Sequence, residues 1–81
     1  MQQMSAIKVL FFASLRERFK QSEVLLPVET ALNVQAVWER ATQNASLPNN
    51  TLVSVNQSYA NLQTPVHAGD EVAFFPPVTG G

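Results

Sequence analysis

Eighty-one residues bound this chain to a single domain near the lower size limit for a self-sufficient core, and 46% apolar with 14% charged residues marks it as globular rather than disordered. Five Lys+Arg against six Asp+Glu leave a net charge of −1, and the scattered Lys8, Arg16, Arg18, Lys20 and Arg40 form no basic stripe, so nucleic acid is not an expected partner. With no cysteine and one histidine, disulfides, thiolate metal sites, a nucleophilic thiol and a multi-imidazole metal centre are all excluded.

The start, MQQMSAIK, lacks the charged beginning and apolar centre of a secretory signal, and the longest apolar run, Val9 to Ala13, is too short to span a bilayer. No membrane partner is expected, and the expected location is cytoplasmic. The run Ile7 to Ala13 is β-branched and aromatic and too short for a core helix, so it reads as a strand. Ile7, Val9, Phe11 and Ala13 fall on one face, Leu10 and Phe12 on the other. Ser14-Leu-Arg-Glu17 then reads as a capping box opening a helix of about two turns through Phe19, with Leu15 and Phe19 paired at i,i+4.

Gln21 to Pro27 is a second strand, ended by its proline. Asn33 caps the main helix, because Val34, Val37, Trp38 and Ala41 then share one apolar face while Glu39 and Arg40 stay wet. This helix is expected to fade over Asn44 to Ser46, and Leu47 to Asn50 reads as a loop. Thr51 to Asn56 is a third strand, with a turn near Gln57-Ser58 into a short Tyr59-Ala60 segment. Thr64-Pro65 and Ala68-Gly69-Asp70 are turn signals, and His67 between them reads as a solvated loop residue. The last strand is Glu71 to Phe75, after which Pro76 and Pro77 forbid further ladder pairing.

One long helix and four or five short strands make an α+β domain in which the helix covers one face of a mixed sheet. The first and last strands, being the most apolar, are expected to be central neighbours, which is the outline of a β-grasp roll. Val72 and Phe74 then share the core with Val9 and Phe11, while Ala73 and Phe75 point the other way with Leu10 and Phe12. A register slip of one residue would exchange the two faces. Loops or the short helix are as good a cover for Leu10 as a partner is, whereas the aromatic Phe12 and Phe75 beside a terminus read as the centre of a protein contact.

Residues 76–81, PPVTGG, form an extended C-terminal tail that could reach roughly 20 Å. Prolines stiffen its base, and the glycines, lacking Cβ, suit passage through a narrow channel. The terminal carboxylate is ionised at neutral pH and can attack the α-phosphate of ATP in a partner's active site, giving an acyl adenylate open to a sulfur or amine nucleophile. A frayed terminus and a terminus that is itself the reagent both fit these residues.

Two stretches carry a resemblance: the end GDEVAFFPPVTGG, Gly69 to Gly81, and the start IKVLFFASLRE, Ile7 to Glu17. Together, and with Val55-Asn56-Gln57, they resemble the small, sulfur-carrying subunits of molybdopterin synthase, the MoaD family, over nearly the whole chain after its first few residues. The resemblance implies a ubiquitin-like β-grasp fold and no permanently bound cofactor. It implies adenylation of Gly81 by an E1-like activating enzyme using ATP, and conversion to a thiocarboxylate by a sulfurtransferase system. Sulfur would then pass to cyclic pyranopterin monophosphate, building the molybdopterin dithiolene within a heterotetramer of two large and two small subunits.

On that resemblance Gly81 is the acyl carrier and Gly80 the slim residue behind it. Phe12, Tyr59 and Phe75, with Pro76, Pro77, Val78 and Thr79, contact the partner. Arg16 either contacts the activating enzyme or is a solvated helix arginine. Tyr59 stands where relatives often carry an aliphatic residue. With no thiol to form a persulfide, the terminal acyl group is the one carrier the chain offers. A sulfur carrier for thiamine thiazole synthesis and a ubiquitin-like protein modifier are the alternatives.

Overall fold

Alternation of Ile7, Val9 and Phe11 with Lys8 and Leu10 builds the first strand, β1 (Ala6–Phe11), in a computed structural model that describes residues 5–77. There follow α1 (Ala13–Phe19), β2 (Glu23–Pro27), β3 (Leu32–Asn33), α2 (Val34–Thr42), β4 (Leu52–Val55), β5 (Ser58–Tyr59), β6 (Pro65–Val66) and β7 (Glu71–Phe75). Five strands form one sheet in the order β2-β1-β7-β4-β5. The chain's first and last strands lie side by side at its centre and run parallel, while β2 and β4 flank them antiparallel. This is the expected β-grasp arrangement, a mixed five-stranded sheet with the main helix on one face.

The core lies between that helix and the sheet. Val34, Val37 and Trp38 of α2 meet Ile7, Val9 and Phe11 of β1 and Val72 and Phe74 of β7, all essentially inaccessible to water. Four rings organise its centre: Trp38 lies 5.0 Å from Phe74 and 5.5 Å from Phe19 in edge-on contacts, and Phe11 lies 5.2 Å from Phe19. Each such pair adds to the burial of large aromatic area.

Asn33 is the cap of α2, its Oδ1 accepting from the Ala36 N–H at 2.8 Å. The next free amides, of Val34 and Gln35, donate to the carbonyls of Thr64 and Leu62. A small antiparallel pair, β3 with β6, sets that geometry and was not expected from either two-residue segment. The helix stops at Thr42, two residues before the anticipated fade, because Gln43 and Asn44 both turn left-handed and send their N–H groups back to the Glu39 carbonyl.

Three local expectations are corrected. Ser14 caps nothing: the chain reverses one residue earlier, with Ala13 at φ 53, so the cap position falls on Phe12 and Ser14 is already inside the helix. The Phe12 carbonyl takes the N–H groups of Leu15 and Arg16, leaving the capping box without its role. The first strand ends at Phe11, not Ala13, for the same reason. The β4–β5 turn is Asn56-Gln57, not Gln57-Ser58; both residues take positive φ, 51° and 72°, as a two-residue hairpin demands, and asparagine tolerates that region well.

Candidate docking face and carrier tail

The register Val9↔Val72, Leu10↔Ala73 and Phe11↔Phe74 excludes the one-residue slip and puts Leu10, Phe12, Ala73 and Phe75 on the sheet face away from α2. Phe12 is 48% exposed and Phe75 half-buried, so α1 does not cover them. Leu10 is half-buried and Ala73 buried; the alanine is small and sits between Leu10 and Ser54 on the neighbouring strands.

The Phe12 N–H donates to the Phe74 carbonyl at 3.1 Å, which continues the ladder one residue past β1 and fixes the ring over Phe75. Phe12 and Phe75 meet edge-on at 6.1 Å, and Tyr59 lies 6.3 Å from Phe75 on the other side. Three rings therefore form a row across the end of the sheet at which β7 gives way to Pro76 and Pro77. Tyr59, 79% exposed, is the outermost.

Arg16 is exposed on α1 and joins no ion pair among the described residues. Arg18, rather than Arg16, is engaged, with its guanidinium 4.9 Å above the Phe19 ring and Nη1 donating to the Ser46 carbonyl. Val78, Thr79, Gly80 and Gly81 lie outside the described residues. Three members of the open face were missed from sequence. Leu25, 53% exposed, is paired opposite Lys8, and Ser54 and Gln57 border a recess beside Tyr59. The signal for Leu25 was its place in the run EVLLP, where alternation puts it on the face opposite Leu26.

The other end of the sheet is tied by side chains. Asn56 Oδ1 accepts from the Glu71 N–H, its Nδ2 donates to Asp70 Oδ1, and its own N–H donates to the Glu71 carbonyl. Asp70 Oδ2 accepts the His67 N–H at 2.9 Å, and the exposed His67 ring stands 3.9 Å from the same oxygen. The His67 amide, then the Asn56 side chain, hold the Asp70 carboxyl below its ordinary 3.8, with partial burial opposing them and the His67 charge adding to them.

A carboxylate with a depressed pKa in the folded state stabilises the fold above its unfolded value and loses that contribution as pH falls through the folded one. The melting temperature of the native chain is therefore expected to fall below about pH 4 more steeply than that of Asp70→Asn. Parallel melting profiles across that range would remove Asp70 from the account.

Among the described residues no three His, Asp or Glu side chains are grouped to hold a metal ion, and no helix is long and apolar enough to cross a membrane. What this arrangement offers chemically is a rigid domain with an open aromatic row at the root of its C-terminal segment.

Comparison with known proteins agrees with this geometry. The ThiS family model matches residues 9–81. The molybdopterin synthase sulfur carrier subunit of Escherichia coli K12 is 42% identical, over 93% of this chain and 99% of its own. That of Haemophilus influenzae Rd is 40% identical with the same coverage. In three dimensions the chain is similar to the crystal structure of SAMP1 from Haloferax volcanii, with a TM-score of 0.81 and 26% identity over 94% of this chain and 99% of the other. The chain belongs to the ThiS family, and the two curated relatives named above are sulfur carrier subunits of molybdopterin synthase.

Proposed function

We propose that this chain is the sulfur carrier subunit of a molybdopterin synthase, acting as a donor of sulfur rather than as an enzyme on its own. The observation that carries this reading is the likeness, over nearly the full length of both chains, to two sulfur carrier subunits. The chain's own chemistry supports it: without cysteine it has no persulfide to offer, and a terminal Gly81 supplies an acyl group.

In this reading the Gly81 carboxylate attacks the α-phosphate of ATP on an E1-like enzyme and pyrophosphate leaves. A persulfide of a sulfurtransferase system then displaces AMP, and a thiol reductant cleaves the resulting acyl disulfide to leave a thiocarboxylate. The carrier then docks on the large subunit through Phe12, Tyr59 and Phe75. Pro76 and Pro77 direct the tail, Val78 and Thr79 give it reach, and Gly80 gives clearance. Sulfur passes to cyclic pyranopterin monophosphate, and two such deliveries complete the dithiolene of molybdopterin. A heterotetramer of two large and two small subunits in the cytoplasm is the expected working form. Arg16, exposed on α1, is either a secondary contact with the activating enzyme or a solvated helix arginine.

The test is mass spectrometry of the intact chain after incubation with the activating enzyme, ATP and a sulfur source. Replacement of one oxygen by sulfur at Gly81, located by fragmentation because oxidation of Met1 or Met4 adds a similar mass, is the expected result. An unchanged carboxylate in a system that charges a known carrier would refute it. Likeness to SAMP1, named a small archaeal modifier protein, favours a second reading in which the adenylate is passed to lysine. A ladder of covalent conjugates in a lysate would establish that reading instead, and restoration of thiazole synthesis alone would place the same tail chemistry in the thiamine branch.

A further inference from the structure

We infer that the recess beside Tyr59 is a guanidinium subsite, which receives an arginine side chain presented by the docking partner. The inference rests on the reading that the open face docks, and it specifies the chemistry that the partner must bring to one corner.

Tyr59 sits on a strand of only two residues, yet the hairpin carrying it is closed by the shortest kind of loop, with Asn56 and Gln57 both left-handed. Ser54 lies directly opposite it in the ladder. Ser54, Gln57, Tyr59 and Phe75 line a recess of about 200 Å³. Two of its walls are aromatic rings, tilted 51° to one another.

The lining holds no Asp, Glu, Lys, Arg or His. The side-chain oxygens of Ser54, Gln57 and Tyr59 have no hydrogen-bond partner among the described residues, so three acceptors are free beside two ring faces. Ring faces are electron-rich and attract cations while opposing a carboxylate. A leucine or valine would fill the apolar half but strip water from three polar groups without replacing its hydrogen bonds. A lysine ammonium is compact and strongly hydrated, and cannot stack. An arginine guanidinium is flat, weakly hydrated and rich in donors, and so satisfies rings and acceptors together.

The recess is also continuous with the Phe12–Phe75 pair. An arginine seated there would fix the rotation of the carrier about its aromatic anchors and hence the direction in which the tail leaves. An aliphatic residue in place of Tyr59 would bind an apolar partner surface instead, making this position a determinant of partner choice.

The test uses the full chain, labelled with nitrogen-15, and N-acetyl-arginine methylamide as probe, with the lysine and leucine counterparts for comparison. Saturable shifts are expected at Ser54, Gln57, Tyr59 and Phe75, with arginine binding about threefold to tenfold more tightly than either counterpart. Tyr59→Phe should keep part of that preference and Tyr59→Leu should lose it, neither variant touching the core because the side chain is exposed. Leucine binding as well as arginine, or no saturable arginine shift at these residues, overturns the inference. Neither the tail nor an activating enzyme takes part, so the outcome is independent of whether Gly81 becomes a thiocarboxylate.

Discussion

A chain lacking Gly81 is expected to melt at the same temperature as the native protein and to transfer essentially no sulfur. The buried core among the described residues runs from Ile7 to Phe74, seven positions short of Gly81. The carboxylate would survive on Gly80 but be drawn back by one residue, about 3.5 Å along an extended chain. Reaction between a tethered acyl group and a bound phosphate or pterin needs the reacting atoms nearly in contact, and a misplacement of even about 1 Å can cost on the order of 10²-fold. Turnover of the reconstituted synthase should thus fall by at least about two orders of magnitude. Mass spectrometry should find the shortened chain uncharged or charged slowly. Equal activity from the shortened chain would show the terminus to be an inert end and would return the domain to a simple binding role.

That expectation comes from the composition of PPVTGG and from the resemblance carried by Gly69 to Gly81. The fold was legible for a different reason: strong periodicity. Val34, Val37, Trp38 and Ala41 admit one helix face, and Asn33 precedes them as the natural cap. The two faces of β1 and β7 could be assigned because side chains alternate along any strand, leaving only the register to be settled by the ladder.

What escaped was decided by contacts distant in sequence. Ser14 has a good capping sequence, but the reversal at Ala13 is imposed by the need to bring Leu15 and Phe19 back onto the core. The β3–β6 pair has almost no local signal, since two residues on each side gain their order from closing the start of α2. Asn56 read as the end of a strand but forms the turn, and its side chain also links the hairpin to Asp70 and Glu71, fourteen and fifteen positions later. The recess beside Tyr59 follows from Ser54 and Phe75 lying near it across strands, which no local pattern encodes.

Phe74→Ala and Phe75→Ala should have opposite consequences although the residues are neighbours. Phe74 is wholly buried, 5.0 Å from Trp38 and 6.2 Å from Phe11, and its removal empties the middle of the aromatic cluster. Truncation of a buried phenylalanine costs about 3–5 kcal/mol, a large part of the roughly 4–12 kcal/mol available to a chain of this size. A drop in melting temperature of roughly 15–30 °C, or outright unfolding, is expected. Phe75 faces the other way, between Phe12 and Tyr59, and touches none of that cluster's rings. Its truncation should cost the fold about 1 kcal/mol. As the centre of the aromatic row it should instead weaken capture by the large subunit by about 10- to 100-fold, seen chiefly as faster dissociation. Calorimetry and surface binding on the two variants measure both quantities. A Phe75→Ala chain that binds the large subunit as tightly as the parent would move the docking centre off this face, whereas one that melts as low as Phe74→Ala would show the open face to be part of the core. The separation follows from the two-residue period of a strand at the centre of a sheet with one covered face: Phe74 points into the core, while Phe75 lies on the face that α2 leaves open.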